Sequence, residues 1–154
     1  MRVLLMQHGK PVPEEENPGR PLSGEGRREA GSVAKFLRKG GIRIGLALHS
    51  GKTRARETAE LVTSELAPGL TPVEEKGLSP LDDVKEVAQK LRGMNEDVLI
   101  CGHLPHLGKL ASFLIAGDES IPIVKFQQGG VLCLESNDGK EWSIAWMVVP
   151  EILG

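Results

Sequence analysis

The pattern of apolar and polar residues divides the chain into blocks. These blocks predict strands and helices that alternate along the sequence. Short apolar runs at 3–6, 45–49 and 97–101 are typical of strands buried on both faces, and a further short strand is expected near 71–74. Between them, apolar residues recur at helical spacing over 52–66, 84–91 and 104–115. An earlier helix is capped by Ser23 and ended by Gly40-Gly41, and its predicted inner face comprises Ala30, Val33, Ala34, Phe36 and Leu37.

The last part of the chain changes to a pattern of strands alone. These strands are predicted at 122–127, 131–135 and 143–149, with turns at Gly129-Gly130 and Asn137-Asp138-Gly139. The earlier alternation of strands and helices predicts an α/β fold with a mostly parallel sheet. The closing strands add antiparallel pairing at one side of that sheet. A length of 154 residues fits a single domain spanning 1–154.

Composition excludes several kinds of partner. The 19 basic and 21 acidic side chains nearly balance, so the charge favours neither nucleic acid nor an anionic membrane. The chain has no Tyr and few other aromatic residues, which argues against stacking on bases. The N-terminal apolar run is too short for a signal peptide or a membrane span, so a cytoplasmic protein is expected. Cys101 and Cys133 lie within apolar runs and are expected to be buried and reduced.

Polar residues that can carry chemistry follow three of the predicted strands. They are Gln7-His8-Gly9, then His49-Ser50 leading to Arg54, and Gly102-His103. In open α/β sheets, ligands bind just beyond the carboxyl ends of the strands, where these residues converge. Arg54 would lie in the first turn of its helix, where anions are favoured, and its guanidinium matches phosphoryl oxygens. A neutral imidazole is a competent nucleophile toward phosphorus, so the residues predict a phosphoanion site with a histidine nucleophile.

Four motifs in order resemble those of the histidine phosphatase superfamily, also called the phosphoglycerate mutase-like family. They are Gln7-His8-Gly9, Arg20-Pro21-Leu22-Ser23, the stretch from Ser50 through Arg54-Ala55 to Thr58, and Gly102-His103-Leu104-Pro105. Within that family the chain is most similar to the small SixA-type phosphohistidine phosphatases. Pattern and resemblance together predict a three-layer α/β/α sandwich. The family has Arg where this chain has Gln7, and proline where it has Gly51.

The resemblance implies a role for each matching residue. His8 would be the nucleophile that is transiently phosphorylated, and Arg54 and His103 would complete the phosphate pocket. Arg20 would be a loop arginine near the substrate, and Gln7, Gly9 and Ser50 are the remaining candidates for phosphate or substrate binding. The implied substrate is phosphohistidine in a protein or a small phosphomonoester, with no metal and no cofactor. Phosphate or sulfate is expected to be able to occupy the site.

Gln7 leaves two functions open. A glutamine supplies a neutral amide where the family has a forked cation, and hydrogen bonds to charged groups contribute about 1.5–3 kcal/mol. Loss of one preorganised donor costs roughly 10²–10³ in rate. The chain is therefore expected to be a phosphatase, whose activity Gln7 would reduce, or alternatively a phosphate- or phosphoprotein-binding pseudoenzyme with little or no turnover. No compelling general acid is visible, since Glu14, Glu15 and Glu16 are more typical of a solvated loop. A mutase would need such a glutamate, so it is the last-ranked of the three functions.

Two other motifs resemble a zinc site and a phosphate-binding loop, but neither is expected to form one. Cys101, His103 and His106 have a spacing that suggests zinc, but at a strand-to-helix corner their side chains would diverge. Gly51-Lys52-Thr53 resembles the end of a phosphate-binding loop, yet the position that requires the first glycine is Leu46. His106 and His49 are expected to have structural or supporting roles.

Overall fold

The strands and helices alternate over most of the chain in the computed structural model, which describes residues 1–154. Their bounds are β1 Arg2–Gln7, α1 Gly24–Lys39, β2 Leu46–His49, α2 Thr53–Leu66, β3 Val73–Glu74, α3 Val84–Leu91, β4 Val98–Gly102, α4 His106–Ala116, β5 Val131–Glu135 and β6 Ser143–Val148. A short 3₁₀ helix, Pro150–Ile152, follows β6. None of the helices combines the length and the hydrophobicity needed to cross a bilayer.

The six strands form one mixed sheet in the order β3-β2-β4-β1-β5-β6. The pairs β1–β4, β4–β2 and β2–β3 are parallel, whereas β1–β5 and β5–β6 are antiparallel. The predicted α/β class, with a mostly parallel sheet and antiparallel strands at one side, is therefore confirmed. Because β1, β2 and β4 are parallel, their carboxyl ends and the residues that follow them meet at the same edge of the sheet.

Helices cover both faces of the sheet, which gives the predicted three layers. Alternate residues of β1 point to opposite faces, so Val3 and Leu5 join one buried cluster while Leu4 and Met6 join the other. The first cluster includes apolar residues of α3 and α4, and the second includes those of α1 and α2. Cys101 and Cys133 lie in the second cluster as free, buried thiols, as expected.

Local sequence signals explain where α1 begins and ends. Ser23 caps it, since the Ser23 hydroxyl accepts a hydrogen bond from the Gly26 amide at 3.0 Å, and the helix gives way to Gly40 as predicted. Phe36 departs from the prediction because its side chain is 51% exposed. Val33 and Leu37, which are four residues apart, form the buried stripe, and Phe36 lies about 100° around the helix from Leu37.

The strand predicted at 122–127 is wrong. That segment is irregular, and Pro122 cannot donate to a ladder. Both sides of β1 are already paired, with β4 and β5, and the free side of β5 is taken by β6. No inner position in the sheet remains for the segment. Helix α4 begins at His106 rather than 104 because Pro105 serves as its N-cap. The bounds of the other elements agree with the prediction to within two residues at each end.

The loop between β1 and α1 folds back on itself as a narrow hairpin. The Val12 amide donates to the Pro21 carbonyl at 2.8 Å, and the Ser23 amide donates to the Lys10 carbonyl at 2.9 Å. The base of this hairpin packs directly on α1, because a β-carbon added to Gly26 would lie 2.2 Å from the Lys10 carbonyl oxygen. The backbone just beyond His8 is thereby fixed against the first turn of α1.

We expect Gly26→Ala to destabilise the protein by about 1–3 kcal/mol, because the added methyl group must displace backbone rather than a flexible side chain. Gly31→Ala is a matched control in the same helix, since its new β-carbon meets nothing within 4 Å. The control should be stabilised by roughly 0.5–1 kcal/mol through reduced backbone entropy. Urea unfolding measures both changes, and equal effects of the two substitutions would contradict the close packing.

Candidate active site

His8 follows β1 directly, and its ring is almost fully buried. Its Nδ1 donates a hydrogen bond to the carbonyl oxygen of Gly9 at 2.7 Å, which places the proton of the neutral ring on Nδ1. The lone pair is therefore on Nε2. Burial lowers the pKa of His8, and the positive charges of Arg54 and Arg20 add to this effect against the opposing hydrogen bond to Gly9. The ring is thus held neutral with Nε2 available as a nucleophile.

His103, at the end of β4, faces His8 across the site. The centroids of the two rings are 5.1 Å apart and their planes are inclined by 51°. His103 Nε2 lies 2.6 Å from the hydroxyl oxygen of Ser50, whereas Nδ1 is buried without a hydrogen-bond partner. Burial lowers the pKa of His103 to about 3, and neighbouring positive charges act in the same direction. The second histidine is therefore also neutral.

Arg54 lies in the first turn of α2, which carries no acidic residue. Its guanidinium forms no salt bridge, and Nε is buried without an acceptor. Burial and then the charge of Arg20 lower the pKa of Arg54, which nevertheless remains cationic. An unpaired guanidinium at a helix N-terminus is suited to bind an oxyanion.

Arg20 lies on the returning arm of the β1–α1 hairpin, next to Pro21, whose carbonyl accepts from the Val12 amide. It adopts a left-handed conformation with φ of 48°, which is uncommon for a residue with a side chain and costs about 1–2 kcal/mol. Its Nε donates to the Val12 carbonyl at 3.4 Å. Its charge lowers the pKa of both His8 and Arg54, so the loop brings Arg20 into their electrostatic neighbourhood.

Every charged neighbour that shifts the pKa of His8, His103 or Arg54 is basic. Lys52 acts on His103, while Lys10 pairs with Glu25 at 3.0 Å on the exposed surface instead. The acidic residues 14–16 are exposed in the hairpin loop. The site is therefore basic without an acidic partner, a charge pattern that suits a phosphoryl dianion.

Thr58 joins two parts of the site, and its role was not anticipated from the sequence. Its buried hydroxyl accepts a hydrogen bond from the Gly9 amide at 3.0 Å and donates one to the Arg54 carbonyl at 2.8 Å. Because the Gly9 amide already donates to Thr58, it is not free to donate to a phosphate. The predicted role of Gly9 in phosphate binding would therefore be indirect. The sequence signals for it were its place at the end of the third motif and its spacing of one helical turn from Arg54.

Gln7 and Ser50 are the remaining predicted site residues. The Gln7 side chain is 9% exposed, and its Oε1 is buried without a hydrogen-bond donor. Its backbone carbonyl accepts from the Gly129 amide at 3.0 Å. Ser50 contacts His103, so its hydroxyl orients that ring. The structure thus brings His8, His103, Arg54, Ser50 and Arg20 to one place, and Gln7 directly precedes His8 at the end of β1.

The two other histidines are also buried at this edge of the sheet. His49 Nδ1 accepts a hydrogen bond from the Gly51 amide at 3.0 Å, which stabilises the turn into α2. His106 opens α4 with its ring buried, and this burial lowers its pKa. No group of three histidine, cysteine or acidic side chains is arranged to hold a metal ion.

The profile of the histidine phosphatase superfamily (branch 1) matches residues 3–82. This is more than half of the chain, which therefore belongs to that superfamily. The protein histidine phosphatase SixA complexed with tungstate is a similar solved structure, with a TM-score of 0.88 and 26% sequence identity over 100% of both chains. The resemblance to the SixA-type proteins is confirmed by this similarity.

Two more distant structures share the fold. A SixA protein from Agrobacterium tumefaciens, provisionally assigned as a phosphohistidine phosphatase, has a TM-score of 0.77 at 20% identity, covering 96% of this chain and 97% of that chain. A phosphoserine phosphatase mutant from Entamoeba histolytica in complex with phosphoserine has a TM-score of 0.66 at 14% identity, with 95% of each chain covered. A comparison with curated proteins finds no match.

We expect Thr58→Val to destabilise the protein by about 1–3 kcal/mol, because it leaves the buried Gly9 amide without an acceptor. Thr63→Val is the matched control. Thr63 lies in the same helix and is equally buried, but its hydroxyl has no hydrogen-bond partner, so removing it should cost nothing. Urea unfolding of the two variants measures the difference. A loss of stability in the control as large as in Thr58→Val would contradict the bridging role.

We also expect stability to fall as the solution is acidified from about pH 6.5 toward about pH 5. The unfolded chain takes up a proton at His103 near pH 6.5, whereas the folded chain holds it neutral until about pH 3. The unfolded state therefore binds more protons in this window, and each such group costs up to about 1.4 kcal/mol per pH unit.

Urea unfolding at a series of pH values measures this dependence, and NMR of the imidazole nitrogens identifies the residue responsible. The His103 ring should remain unprotonated throughout the window. A His103 ring that titrates near its ordinary value, together with pH-independent stability, would contradict the neutral pair.

Proposed function

We propose that the protein is a phosphatase that hydrolyses phosphohistidine in a protein through a phosphorylated His8 intermediate. The observation that carries this proposal is the hydrogen bond from His8 Nδ1 to the Gly9 carbonyl. It leaves Nε2 unprotonated beside a group of basic side chains that have no acidic partner. Membership of the histidine phosphatase superfamily supports a hydrolase that acts on phosphoryl groups.

In the first step, His8 Nε2 attacks phosphorus in line with the departing nitrogen of the substrate. The new N–P bond forms as the substrate N–P bond breaks, and the leaving imidazole retains the proton that it carries. Arg54 and Arg20 hold the phosphoryl oxygens. Because these guanidinium groups supply the charge stabilisation, the step requires no metal ion.

In the second step, a water oxygen bonds to the phosphorus of phosphorylated His8 as the Nε2–P bond breaks, and the inorganic phosphate released carries both protons of that water. His8 recovers its neutral form with the proton on Nδ1, still bonded to Gly9. His103 is neutral and opposes the reacting ring, so it can donate one N–H to a phosphoryl oxygen while Ser50 fixes its orientation. A bound dianion would strengthen that donor.

The leaving group distinguishes phosphohistidine from an alkyl phosphate. A protonated imidazole departs as a neutral molecule, whereas an alkoxide requires a proton from a general acid. None of the charges that act on His8 or His103 belongs to a carboxyl group. The charge pattern therefore favours a phosphoramidate substrate. The similar SixA structure contains tungstate, an oxyanion of comparable shape, which supports phosphoanion binding at this site.

A pseudoenzyme is the second candidate, and Gln7 is the observation that favours it. The Gln7 side chain is buried and neutral, and its Oε1 has no donor. The site would then bind a phosphorylated partner or free phosphate through Arg54 and Arg20 without productive turnover.

Turnover assays on a histidine-phosphorylated protein and on an aryl phosphate distinguish the two functions. We expect hydrolysis of the phosphoprotein, loss of that activity in His8→Asn, and about tenfold or greater acceleration in Gln7→Arg, because a forked cation is restored. Gln89→Arg is the matched control, since it adds the same charge on the exposed surface of α3 and should change nothing.

Phosphate binding without turnover by either the parent or Gln7→Arg would establish the pseudoenzyme instead. A folded Gln7→Arg variant that is no faster than an active parent would show that the missing guanidinium does not limit the rate.

A further inference from the structure

Arg20 adopts a position that its own conformation and charge do not favour. Its φ of 48° lies in the left-handed region, and a side-chain-bearing residue keeps such a conformation only where its surroundings fix it. Its guanidinium also acts electrostatically on Arg54, and the two like charges repel each other. The contacts that hold the returning arm of the hairpin, residues 20–22, therefore decide whether the second guanidinium stays at the site.

Most of these contacts lie within the hairpin itself. The Arg20 amide donates to the Asn17 carbonyl at 2.9 Å, and the Val12 amide donates to the Pro21 carbonyl at 2.8 Å. Such bonds define the shape of the loop, but they do not fix the loop relative to Arg54, which lies on α2. A hairpin that moved as one body would keep both bonds and would carry Arg20 away from the site.

Glu57 supplies the hydrogen bond that joins the returning arm to α2. Its Oε1 accepts from the Leu22 amide at 2.8 Å, and this is the only hydrogen bond between residues 11–22 and a side chain outside the hairpin. The Leu22 side chain is buried, and its Cδ2 would lie 3.2 Å from a β-carbon added to Gly9. The arm is thus tied to α2 at one point and packed beside the backbone of Gly9.

The Glu57 carboxylate is held from its other side as well. Its side chain is only 15% exposed, and Oε2 forms a salt bridge with Arg27 of α1. The two oxygens thus have separate partners, a backbone amide for Oε1 and a guanidinium for Oε2. Because Oε2 pairs with Arg27, the carboxylate does not neutralise Arg54, which forms no salt bridge.

We propose that Glu57 is a positioning residue that holds Arg20 at a fixed distance from Arg54, so that two guanidinium groups meet one phosphoryl group. This inference rests on the phosphoryl site of the proposed function and adds to it a residue that does not touch the substrate. Arg54 lies three residues before Glu57 on α2. On the hairpin side, only Pro21 separates Leu22 from Arg20, and the proline ring restricts φ. One hydrogen bond therefore links the helix that carries Arg54 to the arm that carries Arg20.

Two conservative substitutions separate the hydrogen bond from the charge. Glu57→Gln keeps the length of the side chain and an oxygen for the Leu22 amide, but it loses the salt bridge with Arg27. Glu57→Asp keeps the charge, but its carboxylate is one methylene shorter and withdraws from the Leu22 amide. Calorimetric titration with inorganic phosphate measures binding without requiring turnover. We expect Glu57→Asp to weaken phosphate binding about tenfold, and Glu57→Gln to remain within about threefold of the parent.

Glu65→Asp is the matched control. Glu65 lies near the other end of α2 with its side chain 21% exposed, and it pairs with Arg38 of α1 at 2.6 Å. The substitution therefore shortens the same kind of side chain at the same helix–helix contact, away from the site. Phosphate affinity should be unchanged in this variant. Urea unfolding verifies that each variant is folded.

A double-mutant cycle shows whether Glu57 acts through Arg20. Arg20→Ala should weaken phosphate binding at least as much as Glu57→Asp does, and adding Glu57→Asp to it should cause no further loss. A purely structural effect of Glu57 would instead persist in the Arg20→Ala background.

The proposal is overturned if Glu57→Asp binds phosphate as the parent does, if Glu57→Gln loses as much affinity as Glu57→Asp, or if the effect of Glu57→Asp persists in full without the Arg20 side chain. Because the measurement is of binding, the expected pattern supports the role of Glu57 even where turnover assays refute the phosphatase. A folded parent that binds no phosphate would overturn the phosphoryl site and this inference together.

Discussion

The hydrogen bond from His8 Nδ1 to the carbonyl of Gly9 determines the chemistry available to the rest of the site. It selects the tautomer in which Nε2 carries the lone pair, and it ties the ring to the backbone just beyond β1. That backbone is in turn held by Thr58, through the Gly9 amide, and by the close approach of Gly26 to Lys10. The His8 ring is thus oriented by the main chain, which α1 and α2 hold in place.

The electrostatics of the site follow from the same arrangement. Parallel strands bring His8 and His103 together while α2 adds Arg54. Burial keeps both rings neutral next to guanidinium groups that form no salt bridge. Neutral imidazoles and fixed cations suit a reaction in which a phosphoryl dianion moves between nitrogen atoms. Gln7 is the exception, because its side chain is buried and neutral, and its Oε1 has no hydrogen-bond donor.

The sequence was sufficient to predict the elements that depend on local pattern. The apolar runs, the Ser23 cap and the convergence of strand ends were correct because a parallel sheet places such residues at one edge. The features that could not be predicted from the sequence depend on contacts between residues that are far apart in the chain. The segment 122–127 has strand-like composition, but no inner position of the sheet remains for it. The bridge through Thr58 and the left-handed conformation of Arg20 arise only when α2 and the hairpin are in place.

The central claim is that His8 Nε2 receives the phosphoryl group. Alkaline quenching of the reaction with a histidine-phosphorylated protein, followed by peptide mapping, tests it most directly. The account predicts a phosphoryl group on the peptide that contains His8, stable in alkali and lost in acid, which appears before phosphate accumulates and is absent from His8→Asn. Steady hydrolysis with no such phosphopeptide, or with the phosphoryl group on another residue, would contradict it.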